Sequence, residues 1–203
     1  MAPIVSMKTI NRDFNRVRLE LQDVGLLAPA RYLDRIECYQ SVLPSFCSEM
    51  GYVFDTVVPW YGRLVGYEAG MIYLPLNPPI AAWVPGGTLV DTIRHEFAHS
   101  WAWLDPRHVD GPWFRKAFGA RYGDTWDPDR EPEEFDADEY VSSYAMTAPC
   151  EDFAETFMTW LRCRNSLDRF RNRPGVARKL RAVGAAVKVA AQERMHRIRG
   201  PIA

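Results

Sequence analysis

The chain has no run of the roughly 18 unbroken apolar residues that a membrane helix needs, so no membrane span is expected. It also has no excess of either charge. Lys and Arg number 25 against 26 Asp and Glu, a formal net charge of -1. That excludes the whole molecule as a polyelectrolyte partner for nucleic acid. Cysteine is scarce, with Cys38, Cys47, Cys150 and Cys163. None is spaced as a CxxC pair, which argues against a cysteine zinc knuckle and against a thioredoxin-like redox motif. Residues 1–17 hold no basic segment followed by an apolar one, so no secretory signal is expected. The expected location is therefore the cytoplasm, or release by a route without a classical signal peptide. Reduced thiols follow from the same reading, with a Cys38–Cys47 disulfide left open. Repeats and low-complexity linkers are missing too.

What is present is ordinary in bulk. The 203 residues are 47% hydrophobic and 25% charged, close to the globular average and enough to bury the core of one domain. The charge is unevenly placed. From Arg162 to Arg199 there are 12 basic residues and two acids, Asp168 and Glu193. From Asp124 to Glu139 there are nine carboxylates and one base, Arg130. The two stretches can be solvated faces that meet within one fold. Alternatively, the basic tail can grip an acidic partner or a phosphate backbone. The tail carries no interleaved aromatics at binding spacing, and its Val and Ala content suits packing.

The pattern along the chain predicts helices first. Residues 11–27 place Phe14, Val17, Leu19, Leu21 and Val24 at roughly helical spacing, ending near Gly25. Residues 31–49 repeat that character and break at Pro44. Residues 51–58 and 63–76 are rich in β-branched and aromatic residues and predict two or three strands. Residues 77–87, with three prolines and two glycines, are a loop. Thr88 opens a helix with Asp91 three residues on, a capping box with Asp in place of Glu, and Asp105-Pro106 stops it. Further helices are expected near 111–121, 137–145, 151–164 and 174–199, with an acidic loop over 123–135. Helices, then strands, then helices predict an α+β domain. It has a small mixed or antiparallel sheet, an active-site helix and a mainly helical C-terminal half. One domain is expected over 1–203: a helical part over 11–49, the sheet and active-site helix over 51–122, and a helical part over 137–199.

The chemistry is concentrated in His95-Glu96-Phe97-Ala98-His99, two of the chain's four histidines. Histidines at i and i+4 share one helix face, so their imidazoles can converge on one ion at zinc–nitrogen distance. Glu96 sits on the adjacent edge, placed to take a proton from an activated water. A catalytic zinc needs a third protein ligand and an open position. Glu151 and Glu155, one turn apart at the start of an expected helix, supply candidates: one can ligate while the other hydrogen-bonds a ligand imidazole.

These residues resemble the gluzincin metallopeptidases, and among them most closely the catalytic domain of anthrax lethal factor. The resemblance rests on His95-Glu96-Phe97-Ala98-His99, on Tyr144-Ala145-Met146-Thr147, and on Glu151 followed by Phe153-Ala154-Glu155-Thr156-Phe157. In that family a tyrosine lies seven residues before the ligand glutamate, as Tyr144 does before Glu151. The resemblance implies a zincin-like fold and one zinc held by His95, His99 and Glu151. It implies Glu96 as general base, Tyr144 as donor to the oxyanion, and Glu155 as the acid behind a ligand. It covers residues 88–160 and gives no role to the N-terminal helices or the basic tail.

The function expected is zinc-dependent hydrolysis of a peptide or protein substrate. An extended substrate could add to a sheet edge near residues 66–73. Two rivals stand beside it. The pattern HExxHxxAxxD would make Asp105 the third ligand with Met146 beneath, as in metzincins, but Ala102 lacks the freedom of the glycine that lets such a helix break. The other rival is a catalytically silent zinc- or peptide-binding protein, a sensor or regulator, in which Glu96 would have no task. Two imidazoles and a carboxylate with an open position suit zinc, although the same donors accept manganese or iron. The sequence does not set the oligomeric state.

Overall fold

The computed structural model describes residues 7–26, 37–40, 52–54, 71–74, 88–104, 106–125 and 134–199. Six helices carry it: α1 (Met7–Asp23), α2 (Leu89–Leu104), α3 (Pro106–Val109), α4 (Pro112–Phe118), α5 (Pro149–Cys163) and α6 (Pro174–Arg199). Two 3-10 turns, Tyr144–Met146 and Leu167–Phe170, flank α5. Three short strands pair in the order β1 (Glu37–Gln40), β3 (Met71–Leu74), β2 (Tyr52–Phe54). β3 runs parallel to β1 and antiparallel to β2.

The α+β class is thereby corrected. The strands are three or four residues long, near the lower limit for a strand. Every residue of the described hydrophobic core except Leu26 lies on a helix or a 3-10 turn. The packed body is helical, and local β preference over 51–76 does not produce a sheet layer among the described residues. Three smaller expectations also change. Residues 37–40 are strand where helix was expected. Residues 137–142 are turn and bend, with only Tyr144–Met146 wound as 3-10. β3 is paired on both sides, so residues 71–73 offer no free edge to a substrate strand; residues 66–70 lie outside the described residues.

Other boundaries follow the local chemistry. Thr88 and Asp91 form the reciprocal cap of α2. The Asp91 carboxylate accepts from the Thr88 amide at 3.3 Å, and the Thr88 hydroxyl accepts from the Asp91 amide at 3.3 Å. After α1, Gly25 takes φ +81°. The Leu26 and Gly25 amides then close back on the Leu21 and Gln22 carbonyls at 2.9 and 3.0 Å, a Schellman ending that a side chain at that φ would strain.

The core is an aromatic stack between α2, α4 and α5. Trp101 meets Phe153 and Phe157 at ring-centroid distances of 6.1 and 5.7 Å. Phe114 stacks on Phe118 at 4.5 Å, and Phe118 meets Phe153 at 6.0 Å. Such pairs add about 0.5–1.5 kcal/mol each beyond the area they bury. α6 closes the other side with Val176, Leu180, Val183 and Val187, all buried. Its close approach to α5 uses Gly184, where a Cβ would lie 2.8 Å from Trp160 Nε1.

The charge asymmetry of the sequence resolves within the chain. The Arg173 guanidinium donates to the carbonyls of Ala137 and Tyr140, and Arg178 pairs with Glu139. Lys179 is 1% exposed. Its ammonium lies 2.7 Å from Asp152 Oδ2 and 2.9 Å from Glu139 Oε1, and it donates to the Glu139 carbonyl at 2.9 Å. The Tyr140 ring lies 4.1 Å from it. α6 therefore grips both the acidic segment and the first turn of α5.

A buried ion pair loses most when only one partner goes. Lys179→Met should lower unfolding free energy in urea titrations by about 3–5 kcal/mol, because Asp152 loses its counter-ion in the interior and must stay there unpaired or take up a proton. Adding Asp152→Leu to that variant should recover most of the loss, since a packed apolar pair commonly replaces a buried ion pair at little cost.

Candidate metal centre

α2 is buried on nearly every side, and the polar Asp91, Arg94, His95 and Glu96 are buried with it. Asp91, Arg94 and His95 are answered by neighbouring elements. Arg94 forks onto Glu20 of α1 at 2.8 and 2.6 Å and onto Asp91 at 2.5 Å. Arg162 of α5 reaches the other Asp91 oxygen at 3.2 Å. These pairs fix the rotation of α2 between α1 and α5. That rotation turns His95 and His99 together towards the start of α5.

α5 begins abruptly. Ala148 is extended (φ -162°, ψ 156°) and Pro149 takes the first helical position, where its missing amide costs nothing. Glu151 thus falls in the first turn, where the helix dipole favours a carboxylate. His95 Nε2 lies 3.1 Å from His99 Nε2 and 3.1 Å from Glu151 Oε2, and His99 Nε2 lies 3.4 Å from the same oxygen. A tetrahedral ion with bonds of about 2.0–2.1 Å has ligand-to-ligand edges of about 3.3–3.4 Å. The three edges are close to that. Glu151 Oε2 is also buried without a hydrogen bond of acceptable geometry, although two imidazole nitrogens sit beside it. Three converging electron pairs, one of them orphaned, are what a cation satisfies. Among the described residues, His95, His99 and Glu151 form the one group of acids, cysteines or histidines able to hold an ion.

The surrounding groups orient these donors. Glu155, 1% exposed, has Oε1 2.8 Å from His95 Nδ1 and accepts from the Ser142 hydroxyl through Oε2 at 2.7 Å. Ser142 in turn accepts from the Ala145 amide at 3.2 Å. Tyr122 places its hydroxyl 2.7 Å from His99 Nδ1. Tyr144 tilts over His95, with ring centroids 5.9 Å apart, and its hydroxyl interacts with the Glu151 carboxylate.

The electrostatics follow from burial and the three carboxylates. Burial pushes the Glu96 carboxyl above its usual range, with His95 and His99 pulling against it. Burial acts on Glu151 in the same direction, but the facing imidazoles of His95 and His99 outweigh it and hold that carboxyl well below the carboxylate range. Burial, then the negative charge of Glu151 and Glu96, pushes the Tyr144 phenol up, so it stays protonated. Tyr122 is raised by burial first, then by Cys150, Glu151 and Glu96. Burial opposes charge on His95, yet its bonds to Glu151 and Glu155 carry the imidazolium up to about 10.

The structure brings His95, His99, Glu151, Glu155, Tyr144 and the buried Glu96 into one region. Asp105 and Cys47 lie outside the described residues; Cys150 and Cys163 are free thiols. Sequence reasoning missed Tyr122 and Ser142. Neither belongs to a spaced motif, and their only signal is the chain's return to α2 after Gly119 and before α5.

Residues 85–197 match the family described as "Putative zinc-binding metallo-peptidase". The match covers more than half of the chain, and the chain belongs to that family. No curated protein and no solved structure matches it, so the likeness to lethal factor rests on the quoted motifs alone. No helix among the described residues is long and apolar enough to cross a membrane.

Metal-free protein has a pH signature with a definite sign. His95 rises from an ordinary 6.5 to about 10 on folding. Its contribution is full below pH 6.5 and is lost as pH rises towards about 10. Melting curves in excess chelator should therefore fall across that window, and His95→Gln should remove that part of the fall.

Proposed function

We propose that the chain is a zinc-dependent peptidase of the gluzincin kind. In this reading His95, His99 and Glu151 hold one zinc, and residues 1–203 work as one catalytic unit on a peptide or protein substrate. The observation that carries the reading is the triangle of donor atoms with edges of 3.1, 3.1 and 3.4 Å, together with a buried carboxylate at Glu96. The family membership supports the metal and the reaction class.

When bound, zinc supplies Lewis acidity towards water and the scissile carbonyl. Glu96, whose affinity for a proton is raised by burial, accepts the proton released as water attacks. It then passes that proton to the leaving amine. The protonated Tyr144 hydroxyl donates to the developing oxyanion. For this it must turn from Glu151, with which it interacts here. Glu155 takes a hydrogen bond from His95 Nδ1–H and so presents Nε2 to the metal. Ser142 prevents the Glu155 carboxylate from rotating away.

Metal analysis of purified protein tests the reading. Wild type should carry close to one zinc per chain, Glu151→Ala should lose it, and Asp105→Ala should keep it. Glu96→Gln should keep its zinc and lose about 10²–10⁴-fold in turnover of a peptide library. Well-folded wild type that takes no zinc from added salt would defeat the peptidase reading. Loss of metal in Asp105→Ala alone would move the third ligand to Asp105.

A further inference from the structure

His99 and His95 are held from behind in different ways. His95 Nδ1 faces a carboxylate, Glu155. His99 Nδ1 faces a phenol, Tyr122, at 2.7 Å. We propose that Tyr122 is a positioning residue for His99. Its hydroxyl oxygen accepts the Nδ1–H bond, which leaves the Nε2 lone pair facing Glu151 and His95 for the metal. The proposal rests on the zinc-site reading above and deepens it.

The argument is one of proton counting. A neutral imidazole carries one N–H. If the Tyr122 hydroxyl instead donated to Nδ1, the proton would sit on Nε2, between His95 Nε2 and Glu151 Oε2, where it would block an ion. Only Nδ1–H donating to the phenol oxygen gives a ligand. A second-ring-nitrogen partner of this sort fixes both the tautomer and the ring angle.

Tyr122 is built to hold that position. Its ring stands edge-on to Phe114 and Phe153, each at 5.9 Å. Its amide donates to Asp110 Oδ1 at 3.2 Å. The next turn is closed by the Arg121 amide on Asp124 Oδ2 at 2.7 Å. A neutral acceptor also suits the place. Glu96, Glu151 and Glu155 already bring three carboxylates to this region, and a fourth behind His99 would add buried negative charge without a partner.

Tyr122→Phe keeps the ring and removes only the hydroxyl. Wild type and variant would be compared by zinc competition against a chromophoric chelator, by imidazole nitrogen NMR of the zinc-loaded forms, and by melting of the metal-free forms. The expected result is zinc affinity weaker by about 10–100-fold in the variant. The His99 nitrogen signals of wild type should show one species, bound at Nε2 with Nδ1 protonated, and this should give way to mixed species in the variant. Metal-free melting should stay close to wild type. Equal zinc affinity and an unchanged His99 spectrum would overturn the proposal. So would a variant that fails to fold, since the hydroxyl would then serve structure. Wild type that binds no zinc would defeat the underlying peptidase reading instead.

Discussion

A helix buried on nearly all sides that still carries Asp91, Arg94 and His95 must find polar partners for them in whatever packs on it. The rest of the structure follows from that requirement. Arg94 can be buried only because Glu20 of α1 and Asp91 meet it. His95 can be buried only because Glu151 and Glu155 of α5 meet it. These matches decide which helices touch α2 and at what rotation. The aromatic stack of Trp101, Phe153 and Phe157 then supplies apolar contact area but no rotational register of its own. Hydrophobic burial drives the helices together, while the polar pairs select the one arrangement in which the two imidazoles and Glu151 converge.

Much of the site is readable because it is periodic. His95 and His99 lie one turn apart, as do Glu151 and Glu155, and helical spacing alone puts each pair on one face. The Thr88–Asp91 cap and the Gly25 stop are equally local, being fixed by side-chain and φ requirements within a few residues. The facing of the basic tail and acidic segment is legible from charge, because Arg173 just before α6, and Arg178 and Lys179 on it, lie where neutralisation is needed. What escapes is non-local. Nothing near Tyr122 in the chain says that its hydroxyl will sit against His99, 23 positions earlier. Ser142 is similar: its link to Glu155 exists only once the 134–143 segment is laid against α5.

The fold class fails for a related reason. β-branched and aromatic residues over 51–76 state a local preference, and short strands do form at 52–54 and 71–74. Local preference competes with the length of chain that can express it, and strands of three or four residues stay short of a core layer. Here α1, α4, α5 and α6 fill the described core around α2. Residues 137–142 show the same competition at smaller scale. Their helical pattern yields to tertiary bonds: Arg173 takes the carbonyls of Ala137 and Tyr140, and Lys179 takes that of Glu139. A helix would need those carbonyls for its own ladder.

That diversion gives α6 a part in the candidate metal centre although it contributes no donor to it. Lys179 holds Asp152, the residue after Glu151, and through Glu139 it holds the segment that leads to Ser142 and Tyr144. One buried ammonium therefore ties together the two stretches of chain that complete the site on α2. The ammonium also lies over the Tyr140 ring, 4.1 Å from its centroid, where the ring face attracts a cation. Glu151, the candidate third ligand, is thus fixed from two directions: by the Pro149 start of α5 along the chain, and by a lysine 28 residues later across it.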